Sequence, residues 1–100
     1  MNDEPIGKPG PVAQEAIWPA ELFRQGIGWI IIARFKSPSR RVQVGVFLVD
    51  VFCLGAKLAI YEKCDAQDYR HRIREHYLSN FAMVVVEPCC ARKLVEQAVQ

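Results

Sequence analysis

Hydrophobic positions are densest in Val44-Gly45-Val46-Phe47-Leu48-Val49-Asp50-Val51-Phe52-Cys53-Leu54, where apolar residues fill both alternating sets. That pattern predicts a strand covered on both faces rather than one wetted on one side. Its single charge, Asp50, must be paired, hydrogen-bonded or opened to a cleft, because an isolated buried carboxylate takes up a proton. Upstream, Trp29 to Lys36 is rich in isoleucine and aromatics, and Ser37-Pro38-Ser39-Arg40 supplies turn chemistry before the second run begins at Arg41 or Val42. The two runs predict an antiparallel hairpin over residues 29 to 54 with a basic tip. Gly55 ends or bends its second strand, and Lys57 to Glu62 resumes as a third.

Elsewhere the pattern changes period. Pro5, Gly7, Pro9, Gly10 and Pro11 disfavour helix and central strand alike, so residues 1 to 12 read as a flexible lead-in to one domain over 13 to 100. Between Trp18 and Gly26, Pro19 suits a first helical position and Gly26 a left-handed last one, which predicts a short helix or turn. Asp65 is placed to cap a helix running to about Asn80, with Tyr69, Ile73 and Tyr77 as its buried stripe. Phe81 to Val86 reads as a fourth strand. Pro88 opens a last helix whose stripe is Cys90, Leu94, Val95, Ala98 and Val99. The expected architecture is α+β: an antiparallel sheet of three or four strands with both helices packed on one face. Its other face remains apolar and calls for a second subunit.

Composition bears on class more than on chemistry. With 100 residues, 51% hydrophobic and 24% charged, the chain is too apolar for disorder and too short for two domains. The net charge of +2 is unevenly spread, at −2 over residues 1 to 30 and +4 over 31 to 41. The acidic start, Met1-Asn2-Asp3-Glu4-Pro5, is unlike a secretory signal, and no apolar run suits a membrane helix, so a cytoplasmic chain with reduced thiols is expected.

Asp50 is the sharpest candidate for chemistry: a weak catalytic candidate, and with Lys57 a candidate ligand contact. The bland alternative is a carboxylate capping backbone amides or paired with arginine. Arg34, Lys36, Arg40 and Arg41 at the hairpin, joined by Arg70, Arg72 and Arg74 on the helix, form the one candidate nucleic-acid surface, with Phe35 available to stack a base. Arginines at a hairpin tip also discourage edge pairing, which is the simpler reading. His71 and His76 fall about 140° apart round a helix. With no Cys-x-x-Cys spacing either, neither a metal nor a cofactor is expected. Cys53 reads as a core residue; Cys90, beside Arg92 and Lys93 near a helix start, is the best reactive-thiol candidate but more simply core as well.

The passage Ile17 to Arg34, with Pro19, Leu22-Phe23 and Gly26-Ile27-Gly28, resembles the opening of a family of uncharacterised bacterial proteins. The likeness continues through Val46 to Gly55 and Cys90 to Glu96. Relatives usually carry an acidic residue soon after the lysine matching Lys57, where Leu58-Ala59 stand here, and usually extend beyond the last helix. The resemblance implies a shared pattern and no activity. The expected role is therefore a non-enzymatic, homo-oligomeric binding or interaction module that takes itself, as a dimer or tetramer, and a small ligand as partners. Nucleic-acid binding through the basic hairpin is the alternative, and a small enzyme using Asp50 the third.

Overall fold

The computed structural model describes residues 13–36 and 41–98. Its elements run β1 (Ala13–Pro19), α1 (Leu22–Gln25), β2 (Ile27–Phe35), β3 (Arg41–Asp50), β4 (Gly55–Asp65), α2 (Ala66–Asp68), a π-helical segment (Tyr69–Arg74), α3 (Glu75–Asn80), β5 (Met83–Val86) and α4 (Pro88–Ala98). The strands form one antiparallel sheet in the order β4-β3-β2-β1-β5. The first four make a meander, and the rod from α2 to α3 carries the chain across the sheet so that β5 pairs with β1.

The sheet has five strands, not three or four. The additional one is β1, where a helix or turn had been expected from Trp18 onward. Pro19 is the last residue of β1, not the first of a helix, and its restriction on Trp18 favours the extended backbone found there. The glycine expectation holds: Gly26 ends α1 at φ 90° and its N–H donates to the Leu22 carbonyl at 2.8 Å. The Phe52 ring also presses on Gly26, 2.3 Å from where a Cβ would stand, so glycine is required there twice over.

β3 is an interior strand covered on both faces, as its double apolar pattern predicts, and Val42, Val44, Val46, Phe47 and Val49 are all buried. It stops at Asp50, earlier than Leu54, because residues 51–54 form the turn into β4. The lead-in at residues 1–12 and the hairpin tip at 37–40, including Arg40, lie outside the described residues.

The helices lie on opposite faces, which corrects the expectation of one. Ile17, Ile31, Val44 and Cys64 pack with Tyr69 and Ile73 of the rod, while Ala16, Ile30, Phe47 and Val49 pack with Ala91, Val95 and Ala98 of α4. Alternate residues of each strand therefore enter different cores. The face expected to await a partner is largely covered by the chain's own last helix.

Asp65 caps the rod as expected, its Oδ1 accepting from the Asp68 N–H at 2.8 Å. The middle of the rod winds as a π-helix. Tyr69 and Ile73 are buried and Tyr77 is half-buried, as the four-residue stripe requires. No helix among the described residues is long and apolar enough to cross a membrane.

Candidate functional site

The Asp50 side chain is half-buried and its Oδ1 accepts from the Phe52 N–H at 3.0 Å and the Cys53 N–H at 3.1 Å. It closes the turn before β4 in the manner of an Asx turn, with Leu54 at φ 50° completing the reversal. This is the bland alternative, realised without an arginine. Lys57 is exposed on β4 and is the residue skipped at an irregularity in the pairing with β3, and neither residue lines the groove described below. Cys53 is exposed in that turn rather than in the core, because β3 has already ended. Cys90 is exposed too, not in the core, and the adjacent Cys89, loss of water and Glu87 push its thiol above the ordinary range, away from thiolate.

Of the basic residues expected to share one surface, Arg40 lies outside the described residues, and Arg34 is separated by the sheet from Arg72 and Arg74. Arg34 lies on the α4 face of β2, whereas Arg72 and Arg74 project from the rod on the other face. Arg72 reaches across to Glu62 and holds Asp68 through Nη2 at 3.0 Å. Arg74 Nε donates to Glu15 Oε1 at 2.8 Å, an oxygen that also accepts from the Tyr69 hydroxyl at 2.8 Å. Burial, more than the Glu15 contact, pushes the Tyr69 phenol well above its usual range. Glu62, Cys64 and Asp68 offer ligand atoms within 4.8 Å of one another, but the Arg72 guanidinium already supplies the positive charge between the carboxylates. Burial and these acids push the Cys64 thiol up rather than toward thiolate.

Two hollows remain. One, of about 320 Å³, lies beside Trp29, Leu48 and Phe81, and its one charged wall residue, Glu21, is already bonded to Arg24 at 3.1 Å. The other is a groove of about 530 Å³ between the sheet and α4. Its floor follows from register. Arg34 pairs with Gln43 and Gln43 with Lys63, so these three form a polar row across β2, β3 and β4. Two residues along, Ile32, Gly45 and Tyr61 form the next row on the same face, and Phe47 lies in the one after.

Gly45 makes the trough. A Cβ there would stand 2.7 Å from the Phe47 ring, which instead leans over the glycine and meets Tyr61 edge to face at 5.5 Å. From above, α4 contributes Val95 to the apolar lining and Arg92 and Glu96 to the rim. Arg34, Lys63 and Arg92 have no ion-pair partner among the described residues. Of the sequence candidates among the described residues, only Arg34 lines this groove. Lys63 was missed because the third strand was taken to stop at Glu62; the alternation of Tyr61 and Lys63 puts both on one face once the strand runs on to Asp65.

Compared with protein-family models, curated proteins and solved structures, the chain has no match.

Proposed function

We propose that this chain is a non-enzymatic, homo-oligomeric binding module, joined to a second copy along β4 and taking a small ligand in the groove beside that strand. The observation that carries it is β4 itself. It is an edge strand of eleven residues, so one row of its amides and carbonyls points outward, and Leu58, Ile60 and Tyr61 on it are 45%, 45% and 73% exposed. Leu58 and Ile60 share one face and Tyr61 the other, so edge pairing with a copy covers apolar surface on both sides of the joined sheet. Association no longer draws on a naked sheet face, since α4 covers most of that face.

A binding role draws support from the commitment of the ionisable groups outside the groove. The Asp50 carboxylate serves a turn, Glu15 serves Tyr69 and Arg74, and Arg72 serves two acids. Sedimentation at micromolar concentration is expected to give at least a dimer. Leu58→Lys with Ile60→Lys, at exposed positions, should return a folded monomer. A wild-type monomer would overturn the association.

A second reading, single-stranded nucleic acid, is favoured by the exposed Tyr61 ring standing among Arg34, Lys63 and Arg92. It is weakened by the commitment of Arg72 and Arg74 on the opposite face. Retention of mixed DNA and RNA at low salt, lost steeply as salt rises, would bring it to the front.

A further inference from the structure

We propose that the groove takes an amphipathic anion: an elongated apolar body carrying one carboxylate or equivalent acidic head. The inference rests on the binding-module reading above and names the ligand class that the groove's layout selects.

The lining is graded from one end to the other. Arg34 and Lys63 stand two strand spacings apart with Gln43 between them, about 10 Å across at the backbone. An acidic head seated over Gln43 lies within reach of both long cationic side chains and of a side-chain amide donor. Neither cation is consumed by an internal partner among the described residues, whereas the arginines of the rod that lie near acids are bonded to them. Charge-assisted bonds to such a head are stronger than neutral ones, and planar guanidinium suits a carboxylate in particular.

Beyond that row the groove turns apolar. Ile32, Gly45 and Tyr61 follow at about 7 Å and Phe47 at about 14 Å, with Val95 above them. A body of that length fits the trough that Gly45 opens. The groove's other carboxylates decide the charge count. Glu62 is held by Arg72, and Glu96 lines the groove from the α4 side without an ion-pair partner among the described residues, so its charge opposes a second negative group on the ligand. One acidic head on an apolar body therefore fits better than a dianion or a neutral oil.

The test uses the full chain with anilinonaphthalene sulfonate, itself an apolar anion, as reporter. Dye fluorescence should rise on binding and fall when decanoate displaces the dye. Decanol and decyltrimethylammonium, with the same chain and no negative charge, should compete about tenfold less well. Arg34→Glu with Lys63→Glu, both exposed and outside the core, should weaken decanoate about tenfold or more without shifting the melting midpoint. Tyr61→Ala should weaken decanoate and decanol alike.

If decanol competes as well as decanoate while Tyr61→Ala still weakens both, the groove binds and the anionic class is wrong. If the dye does not bind, or binds indifferently to all three substitutions, the groove reading fails together with the ligand class.

Discussion

The two faces of the sheet are each covered by a helix, and they are covered by different means. Under the rod the contact is large and cross-linked: Tyr69 and Ile73 fill the core, Tyr69 and Arg74 converge on Glu15, and Arg72 ties the rod to Glu62 of the edge strand. Under α4 the contact is made by Ala91, Val95 and Ala98, and no ion pair ties that helix to the sheet among the described residues. Small side chains set α4 close against the sheet from β1 to β4, while Tyr61 and Lys63 on that face of β4 stay exposed. One face is closed by side chains that answer one another. The other keeps Arg34, Lys63 and Arg92 beside a trough without ion-pair partners among the described residues.

Substitutions on the rod face should cost the most. Tyr69→Ala removes a fully buried ring and takes one of two donors from Glu15, and should destabilise by about 3 to 5 kcal/mol in chemical denaturation. A loss below about 1 kcal/mol would mean the rod is not the structural face.

Asp50→Ala comes next. Two turn hydrogen bonds disappear and no buried charge is stranded, so the expected loss is about 1 to 2 kcal/mol, with Asp50→Asn close to wild type because an amide oxygen can still accept. A loss in Asp50→Asn as large as in the alanine variant would show that the negative charge itself matters there.

Alkaline pH sharpens the contrast further. The Tyr69 phenol and Cys64 thiol are both raised in the fold, so the unfolded chain loses its protons first. Their contribution is complete below their ordinary values of 9.0 and 10.0 and fades as pH rises through and beyond them. Stability should therefore fall above about pH 9, and Tyr69→Phe should flatten the part of that slope beyond pH 10. Equal slopes in both proteins would place the tyrosine in water.

The smallest effect belongs to the α4 face. Arg34→Glu and Arg92→Glu should each change stability by no more than about 0.5 kcal/mol, since both side chains are exposed and bond to nothing among the described residues. A larger loss would show that these cations hold α4 in place, and the two faces would then differ less than the geometry indicates.

Much of this fold could be read from local chemistry. The doubly apolar run became an interior strand covered on both faces, Asp65 capped its helix, Gly26 took the left-handed position and Pro88 opened α4. These succeed because caps, φ preferences and hydrophobic period act within a few residues. β1 was lost because Gln14-Glu15-Ala16-Ile17-Trp18 puts two polar residues before three apolar ones without the alternation of a strand, and it is held in place by pairing with β2 and with the distant β5. The candidate site was less legible still. Arg34, Gln43 and Lys63 come from three strands, and only their register makes them one row.

What residue order alone established is a set of elements and their apolar stripes, since propensity and periodicity are properties of neighbours along the chain. It did not establish which face each helix covers, because both stripes suit either face of a sheet that is apolar on both. Crossover of the rod to β5 and the return of α4 beneath β1 to β4 decided that. With it they decided that Arg72 and Arg74 are spent on internal acids while Arg34, Lys63 and Arg92 are left to line a groove, an outcome of packing between segments that no local pattern contains.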